Sequence, residues 1–126
     1  MKMNSGAERR RHPRVSRSYT MRVKERDAQD PLWELPMMRN ISVGGCYFHS
    51  TVNYQEGQCL EIEIQLPVLR EPLRCTGLVR RIEPRREGMM DYVGVGLEFM
   101  DMQEDVKQKL KEVVDFTLAR QQKEGH

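Results

Sequence analysis

The sequence predicts a mainly β protein: a six-stranded antiparallel β-barrel followed by one C-terminal α-helix. Apolar and polar residues alternate in several short stretches, most regularly from residue 60 to residue 66, as is typical of half-buried antiparallel strands. Turn-forming residues separate these stretches at regular intervals, as in small barrels. Near the C-terminus the apolar residues recur at helical spacing, which predicts an amphipathic helix that packs on the barrel or on a partner.

The strands can be placed along the chain from this alternation. The six stretches predicted as strands are residues 19–24, 33–41, 46–49, 60–66, 73–82 and 93–99. Pro36 has no N–H to donate, which favours an edge or a bulge for the second strand. The alternation of the fifth strand slips near Gly77, which indicates a bulge, and residues 84–88 are a charged hairpin connection. Gly94 and Gly96 share one face of the last strand and predict a bare lane there.

The predicted helix has a recognisable start. Asp101 is a suitable N-cap residue and is followed by Glu104, and the helical spacing continues through Arg120. The apolar stripe of this helix consists of Val106, Leu110, Val113, Val114, Thr117 and Leu118.

Length and composition indicate one soluble domain. A chain of 126 residues is long enough for a single core. Residues 1–8 are polar and predicted to be disordered, residues 9–121 form the domain with its helix, and residues 122–126 are a tail. No apolar run is long enough to span a membrane, and the first residues lack the apolar stretch of a signal peptide, so we expect a cytoplasmic protein without membrane insertion.

The charge distribution favours a small anionic ligand. The net charge is only +2, which argues against a general nucleic-acid-binding protein. Basic residues nevertheless cluster at 9–17 and at 80–86. Local basic patches on a nearly balanced chain suit a small anion better than a long polyanion.

Neither an enzyme nor a metal site is predicted. The cysteines form no Cys-x-x-Cys pair, so neither a disulfide framework nor a zinc site is indicated. The histidines are scattered, and the sequence shows no general base that would activate Ser42 as a nucleophile. Glu61 and Glu63 are interpreted as part of a solvated strand face rather than as an acid/base pair.

The stretch Arg9-Arg10-Arg11-His12-Pro13-Arg14 is the most strongly basic in the chain. It has no apolar periodicity that would recruit it to a core, and Pro13 disfavours helix at His12. Because its arginines repel one another, this extended arm makes most sense with an anion beneath it.

A second informative stretch is Asn40-Ile41-Ser42-Val43-Gly44-Gly45. On a strand-like segment Asn40 and Ser42 share a face, where they can hydrogen-bond the edge of a flat heterocycle. The glycines would let a ligand or the arm lie close to the backbone. The same residue types are ordinary in turns, so the stretch alone also fits a plain turn.

Together the two stretches resemble the PilZ domain family, bacterial receptors for cyclic di-GMP. The family combines Arg-Arg-x-x-x-Arg near its start with Asp/Asn-x-Ser-x-x-Gly further along, and this chain has Arg9-Arg10-x-x-x-Arg14 and Asn40-x-Ser42-x-x-Gly45. Residues 95–99 are similar to the closing strand of the family. The resemblance runs from Glu8 to the final helix and implies the same six-stranded barrel with a C-terminal helix.

The resemblance also implies a ligand site. Its residues are Arg9, Arg10, Arg14, Asn40, Ser42 and Gly45. Arg10 and Arg14 would make the main contacts from the arm with Arg9 assisting, while Asn40 and Ser42 would read a guanine edge and the glycine would permit close approach. Ligand binding would order the arm over the barrel and signal to a downstream protein partner, with no other cofactor and no metal. Many members have Asp in place of Asn40, and an amide has one acceptor oxygen where a carboxylate has two, which implies weaker guanine recognition.

Two other functions fit the same residues. A small barrel that binds single-stranded nucleic acid would use residues 9–17 and 80–86 as a backbone track, with Tyr47 or Phe48 stacking on bases. The low net charge and an aromatic content of 6% weigh against it. A ligand-independent protein adaptor is left open by Asn40.

Overall fold

The described part of the protein contains six strands and one helix. A computed structural model describes residues 14, 19–27, 32–67 and 69–124. The elements are β1 (Met21–Glu25), β2 (Met37–Ile41), β3 (Gly45–Ser50), β4 (Cys59–Ile64), β5 (Leu73–Glu87), β6 (Met90–Met100) and α1 (Glu104–Glu124). The predicted disorder of residues 1–8 lies outside the described residues.

All neighbouring strands are antiparallel and form one curled sheet. The order across the sheet is β1-β4-β5-β6-β3-β2, so β1 and β2 are its edges. In the described part of the chain one bridge joins β1 to the segment just before β2, where Val23 and Glu34 exchange backbone hydrogen bonds of 2.9 and 2.8 Å. The sheet is therefore a half-barrel, and the predicted fold of six antiparallel strands with a C-terminal helix is confirmed.

The core lies between the concave face of the sheet and α1. Leu60, Ile62 and Ile64 of β4 alternate as predicted and are 0%, 1% and 0% exposed. Burying one such side chain contributes roughly 1.5–3 kcal/mol. The helix adds Leu110, Val113 and Val114 to the same core. One stripe of the helix therefore packs against the concave face of the sheet, and the helix does not cover the convex face.

The helix begins later than predicted. Asp101 was expected to cap it, but α1 begins at Glu104, and Asp101 lies in the preceding link with a φ of 54°. Aspartate adopts this left-handed conformation more readily than most residues. The Tyr19 and Thr117 hydroxyls lie 3.4 Å apart, which ties the helix to the chain just before β1.

The fifth strand differs most from its prediction. The register shift lies between Val79 and Arg81, not at Gly77. A Cβ at Gly77 would lie 2.3 Å from Cδ1 of Ile62, so this glycine makes room for a core side chain. The strand also continues through residues 84–87, which were expected to be a connection. Pro84 lies opposite Val93 of β6, but the pairing of β5 with β4 ends at Leu78, so no described strand on that side of Pro84 requires an N–H.

Candidate functional site

The turn between β2 and β3 is shaped by Ser42. Its backbone N–H donates to the Gly45 carbonyl at 2.8 Å, and its hydroxyl lies 3.4 Å from the same oxygen. The Gly44 N–H donates to the Ser42 hydroxyl at 3.2 Å. The Ser42 side chain is buried, with 3% of its surface exposed. Its hydroxyl is thus hydrogen-bonded within its own turn, where it holds the segment that follows Asn40.

Gly45 is the residue where the turn meets β6. A Cβ at this position would lie 2.0 Å from the Leu97 carbonyl oxygen. The Phe99 N–H donates to the Gly44 carbonyl at 2.9 Å, so the two backbones are held together here. The close neighbour for which Gly45 makes room is therefore the chain's own β6.

Arg14 and Asn40 bring the two sequence motifs together. The Nη1 of Arg14 donates a hydrogen bond of 2.7 Å to Oδ1 of Asn40, although the residues are 26 positions apart. Both side chains are half-buried. Arg14 also lies near enough to the buried Cys46 to act electrostatically on its thiol. Arg9 and Arg10 lie outside the described residues.

The convex face beside Asn40 carries an aromatic ring over glycine. Asn40 pairs with Tyr47 across β2 and β3. A Cβ at Gly94 would lie 1.8 Å from the Tyr47 hydroxyl oxygen, so the ring lies over that glycine. The guanidinium of Arg81 lies 5.5 Å from the ring centroid, and the same side chain covers Gly96. Gly94 and Gly96 share one face of β6 as predicted, and we call this strip the glycine lane. It is not bare, however, because the side chains of Tyr47 and Arg81 cover it.

A charged cluster completes this face. The Tyr47 hydroxyl donates to Glu83 at 2.8 Å, and Arg81 and Arg85 each bind the same carboxylate at 3.0 Å. The Tyr47 hydrogen bond lowers the pKa of Glu83, burial opposes this, and the two arginines lower it further. Burial and then the Glu83 hydrogen bond raise the pKa of Tyr47. Because two arginines share one carboxylate, the cluster keeps a positive charge.

Tyr47, Arg81, Glu83 and Arg85 were not predicted as part of the cyclic di-GMP site, although Tyr47 and residues 80–86 entered the alternative function of binding single-stranded nucleic acid. Between Val79 and Arg81, strand β5 has one residue more than its partner β6, which is a β-bulge. This extra residue changes which side chains of β5 face outward and brings Arg81 opposite Gly96. Because the bulge was predicted near Gly77 instead, the outward-facing residues of this cluster were not predicted. The charged pair Arg80-Arg81 inside a predicted strand was the available signal, since two consecutive charged residues break the alternation.

Other chemistry has little support in the described residues. They contain no group of His, Cys, Asp or Glu side chains placed to hold a metal ion. The three cysteines are free thiols, and burial raises the pKa of the Cys46 thiol to about 12. No described helix combines the length and the apolar character that crossing a bilayer requires.

Solved structures share the fold at low sequence identity. The PilZ domain of YcgR from Escherichia coli, solved with c-di-GMP, is 21% identical with a TM-score of 0.69, over 93% of this chain and 96% of that one. The Bacillus subtilis inhibitor of motility MotI/DgrA is 20% identical (TM-score 0.70, 91% of this chain) and the MrkH–c-di-GMP complex of K. pneumoniae is 16% identical (TM-score 0.72, 94%). This chain spans 52% and 55% of the latter two.

The sequence itself matches a described family. No curated protein matches it. The family model of the PilZ domain, however, matches residues 8–116, which contain both motifs, all six strands and most of the helix. The chain therefore belongs to the PilZ domain family.

Proposed function

We propose that this protein is a receptor for cyclic di-GMP, which it binds between its N-terminal arginine arm and the convex face around Asn40. The observation that carries the proposal is the hydrogen bond of 2.7 Å between Arg14 and Asn40. It joins the arm to the barrel through one residue of each of the two sequence motifs, both of which lie within the residues that match the PilZ domain. The YcgR domain and MrkH, which share the fold, were solved with c-di-GMP.

The residue types suit the two kinds of group in the ligand. An arginine fork hydrogen-bonds phosphate oxygens or the O6/N7 edge of guanine, and its flat face stacks on a base. Arg14 supplies this group at Asn40, and Arg9 and Arg10 supply further guanidinium groups from the arm. Asn40 offers an amide to a guanine edge. Ser42 and Gly45 act by holding the turn, because their contacts are with the chain itself.

The Tyr47–Arg81 pair extends the site along the sheet. It lies next to Asn40 in the cross-strand register, and a guanidinium over an aromatic ring forms a flat, positively charged surface. A base that hydrogen-bonds to Asn40 would extend over this surface. Stacking of a base on such a surface contributes about 1–3 kcal/mol.

We further infer that ligand binding orders residues 9–17 and that the ordered arm signals to a downstream protein partner in the cytoplasm. MotI is named an inhibitor of motility and MrkH a c-di-GMP-dependent transcription regulatory factor, so proteins with this fold act in different outputs. We assign no catalysis to the site. The histidine that the structure describes beside it, His49, packs against Tyr92 with ring centroids 4.8 Å apart. Burial and then the charges of Arg39 and Arg85 lower the pKa of His49, which disfavours its protonated form.

Titration of the protein with cyclic di-GMP in a calorimeter tests the proposal. Saturable heat is expected, and unlabelled cyclic di-GMP should displace a fluorescent analogue while a single-stranded oligonucleotide should not. Displacement by the oligonucleotide would instead support the nucleic-acid-binding function. A ligand-independent adaptor would give no heat with either compound. Amide exchange of residues 9–17 should slow on ligand addition if the arm becomes ordered, and unchanged exchange would contradict the ordering step.

A further inference from the structure

A groove lies on the same convex face, between the start of β2 and the β5–β6 hairpin. Its volume is about 340 Å³. Its apolar walls are Leu35, Pro36, Met37, Met90 and Tyr92. We call it the methionine groove.

The walls of the methionine groove are unusually exposed for apolar side chains. Leu35 is 74% exposed, Met37 59% and Met90 63%. Isolated apolar residues on a surface are ordinary, but several that line one concavity mark an interaction site. Methionine side chains are flexible and polarisable, so they adapt to different apolar partners. The groove thus offers apolar surface that the described chain does not cover.

The acidic side chains that line the groove are two carboxylates, while Arg39 adjoins it from outside the lining, with Nη1 3.9 Å from Sδ of Met37. Glu34 and Glu87 line it, and neither forms an ion pair with any residue that the structure describes. The Glu34 carboxylate is held in place by hydroxyl groups, since Ser50 donates to it at 2.7 Å and Tyr54 at 2.6 Å. A fixed carboxylate beside apolar walls favours a cation carried on an apolar segment. The same charges disfavour a polyanion such as nucleic acid.

The methionine groove is continuous with the candidate ligand site. A row of three rings joins them: Tyr47 contacts His49 with centroids 5.6 Å apart, and His49 contacts Tyr92 at 4.8 Å. Met37 is opposite His49 in the β2–β3 register, on the strand that carries Asn40. An occupant of the groove would therefore lie next to a ligand bound at Asn40.

We propose that the methionine groove binds a segment of a partner protein that combines apolar side chains with a lysine or arginine. The apolar side chains fill the groove between Leu35 and Met90, and the cation pairs with Glu87 at the exposed rim and faces Glu34 in the wall. This extends the proposed function by giving the partner a surface. It is tested without cyclic di-GMP, so the failure of either proposal leaves the other open to its own test.

A phage-displayed library of random short peptides, selected on the full-length protein, tests the groove. Enriched peptides should combine apolar residues with Lys or Arg. A synthetic peptide of the enriched sequence should bind about tenfold more weakly, by fluorescence anisotropy, to Leu35→Glu and to Met90→Glu than to the wild type. Phe116→Glu is the matched control, because Phe116 is also exposed, at 64%, but lies on α1. Circular dichroism verifies that each variant folds.

Glu87→Gln examines the charge of the occupant separately. It should weaken peptide binding and reduce the dependence of binding on salt, because one charge pair is lost. Failure to enrich any peptide overturns the proposal, as does a peptide that binds Leu35→Glu and the wild type equally. Enriched peptides without a basic residue, or a wild-type dimer that Leu35→Glu converts to a monomer, overturn it too, the latter by assigning the groove to a second copy.

Discussion

The two ends of the convex sheet face each place two arginines on one glutamate but differ in the residues around that cluster. At the β1–β4 end, Glu63 accepts hydrogen bonds from Arg22 at 3.0 Å and from Arg74 at 3.1 Å. At the β3–β6 end, Arg81 and Arg85 also share one carboxylate, that of Glu83. What differs is the surface around each of the two clusters.

At the β1–β4 end the neighbours are large and paired. Lys24 and Glu61 form a further ion pair of 3.8 Å, and Trp33 is covered by Arg22 and by Lys24 at 4.1 and 4.6 Å. The Arg22 guanidinium already lies over the indole ring, so this face is not open to a ligand. Glu61 is exposed as predicted, with 46% of its side-chain surface, whereas Glu63 is only 13% exposed because it lies between two arginines.

At the β3–β6 end the neighbours are small or neutral. Gly94 and Gly96 provide no side chains, and Asn40 is uncharged. Tyr47 and Arg81 occupy the glycine lane as a flat layer, and Arg81 remains 58% exposed. This difference supports the proposed site at the β3–β6 end, because the glycines there leave room beside the cations and Asn40 adds an uncharged polar edge next to Tyr47.

The largest predicted effect concerns the backbone contact at this end. Gly45→Ala should lower the free energy of unfolding by about 3 kcal/mol, because its Cβ would overlap the Leu97 carbonyl oxygen, which cannot rotate away. Urea denaturation measures this. Thr76→Ala on β5 is the control and should change stability by less than about 1 kcal/mol. A Gly45→Ala variant as stable as the wild type would mean that β3 and β6 are further apart than described.

The next effect compares an arginine from each end. Arg14→Ala should weaken cyclic di-GMP binding by roughly 2–3 kcal/mol, about 30- to 150-fold, through loss of a charge-assisted contact. Arg74→Ala should leave binding unchanged, because Arg74 belongs to the Glu63 pair at the other end. Calorimetry measures both. Equal affinities of Arg14→Ala and wild type would remove Arg14 from the site, and equal losses in both variants would show a merely electrostatic effect of net charge.

A smaller effect is expected when the glycine lane is narrowed. Gly94→Ala should displace the Tyr47 ring, because a Cβ there would also lie 2.6 Å from the ring carbon that carries the hydroxyl. Loss of the Tyr47–Glu83 hydrogen bond should reduce stability by about 1 kcal/mol. Ligand binding should weaken about five- to tenfold if a base stacks on this ring. Tyr47→Ala is the matched variant, and normal affinity in both would place the ligand elsewhere.

The parts of the structure that local pattern determines were predictable. The alternation around Ile62 and the helical stripe around Leu110 each identify a buried face within one element, and both predictions are confirmed. The family motifs likewise identified Arg14 and Asn40, which the structure brings into contact. These inferences need only neighbouring residues or a resemblance.

The remaining features depend on register, which a single sequence does not contain. Gly77 and Arg80 lie close together in β5, yet only the partner strands show that the first makes room for Ile62 and the second is extra to the register. The contact of Tyr47 with Glu83 joins residues 36 positions apart through the pairing of three strands. The role of Ser42 is a different case, because its contacts with Gly44 and Gly45 are local and a plain turn was one of the two interpretations that the sequence left open.

The smallest effect is a pH dependence at the β1–β4 end. Burial alone would raise the pKa of Glu63, but hydrogen bonds from Arg22 and Arg74 outweigh it and hold the pKa below its usual value. A carboxyl with a lowered pKa stabilises the fold above its unfolded pKa, about 4.3, and this stabilisation is lost as the pH falls through its folded pKa. Glu63→Gln should therefore cost about 0.5 kcal/mol at pH 7, since both arginines are partly exposed, and almost nothing at low pH.

Glu83→Gln distinguishes the two ends in the same experiment. Like Glu63→Gln, this variant should lose stability at pH 7 and lose less of it at low pH. The reason is that the pKa of Glu83 is also lowered, first by the Tyr47 hydrogen bond. Cyclic di-GMP affinity should respond only to Glu83→Gln, since this carboxylate positions Arg81 and Tyr47 whereas Glu63 positions only Arg22 and Arg74. If Glu63→Gln changed the affinity equally, the two ends would form one electrostatic surface and the distinction between a solvated end and a binding end would be wrong.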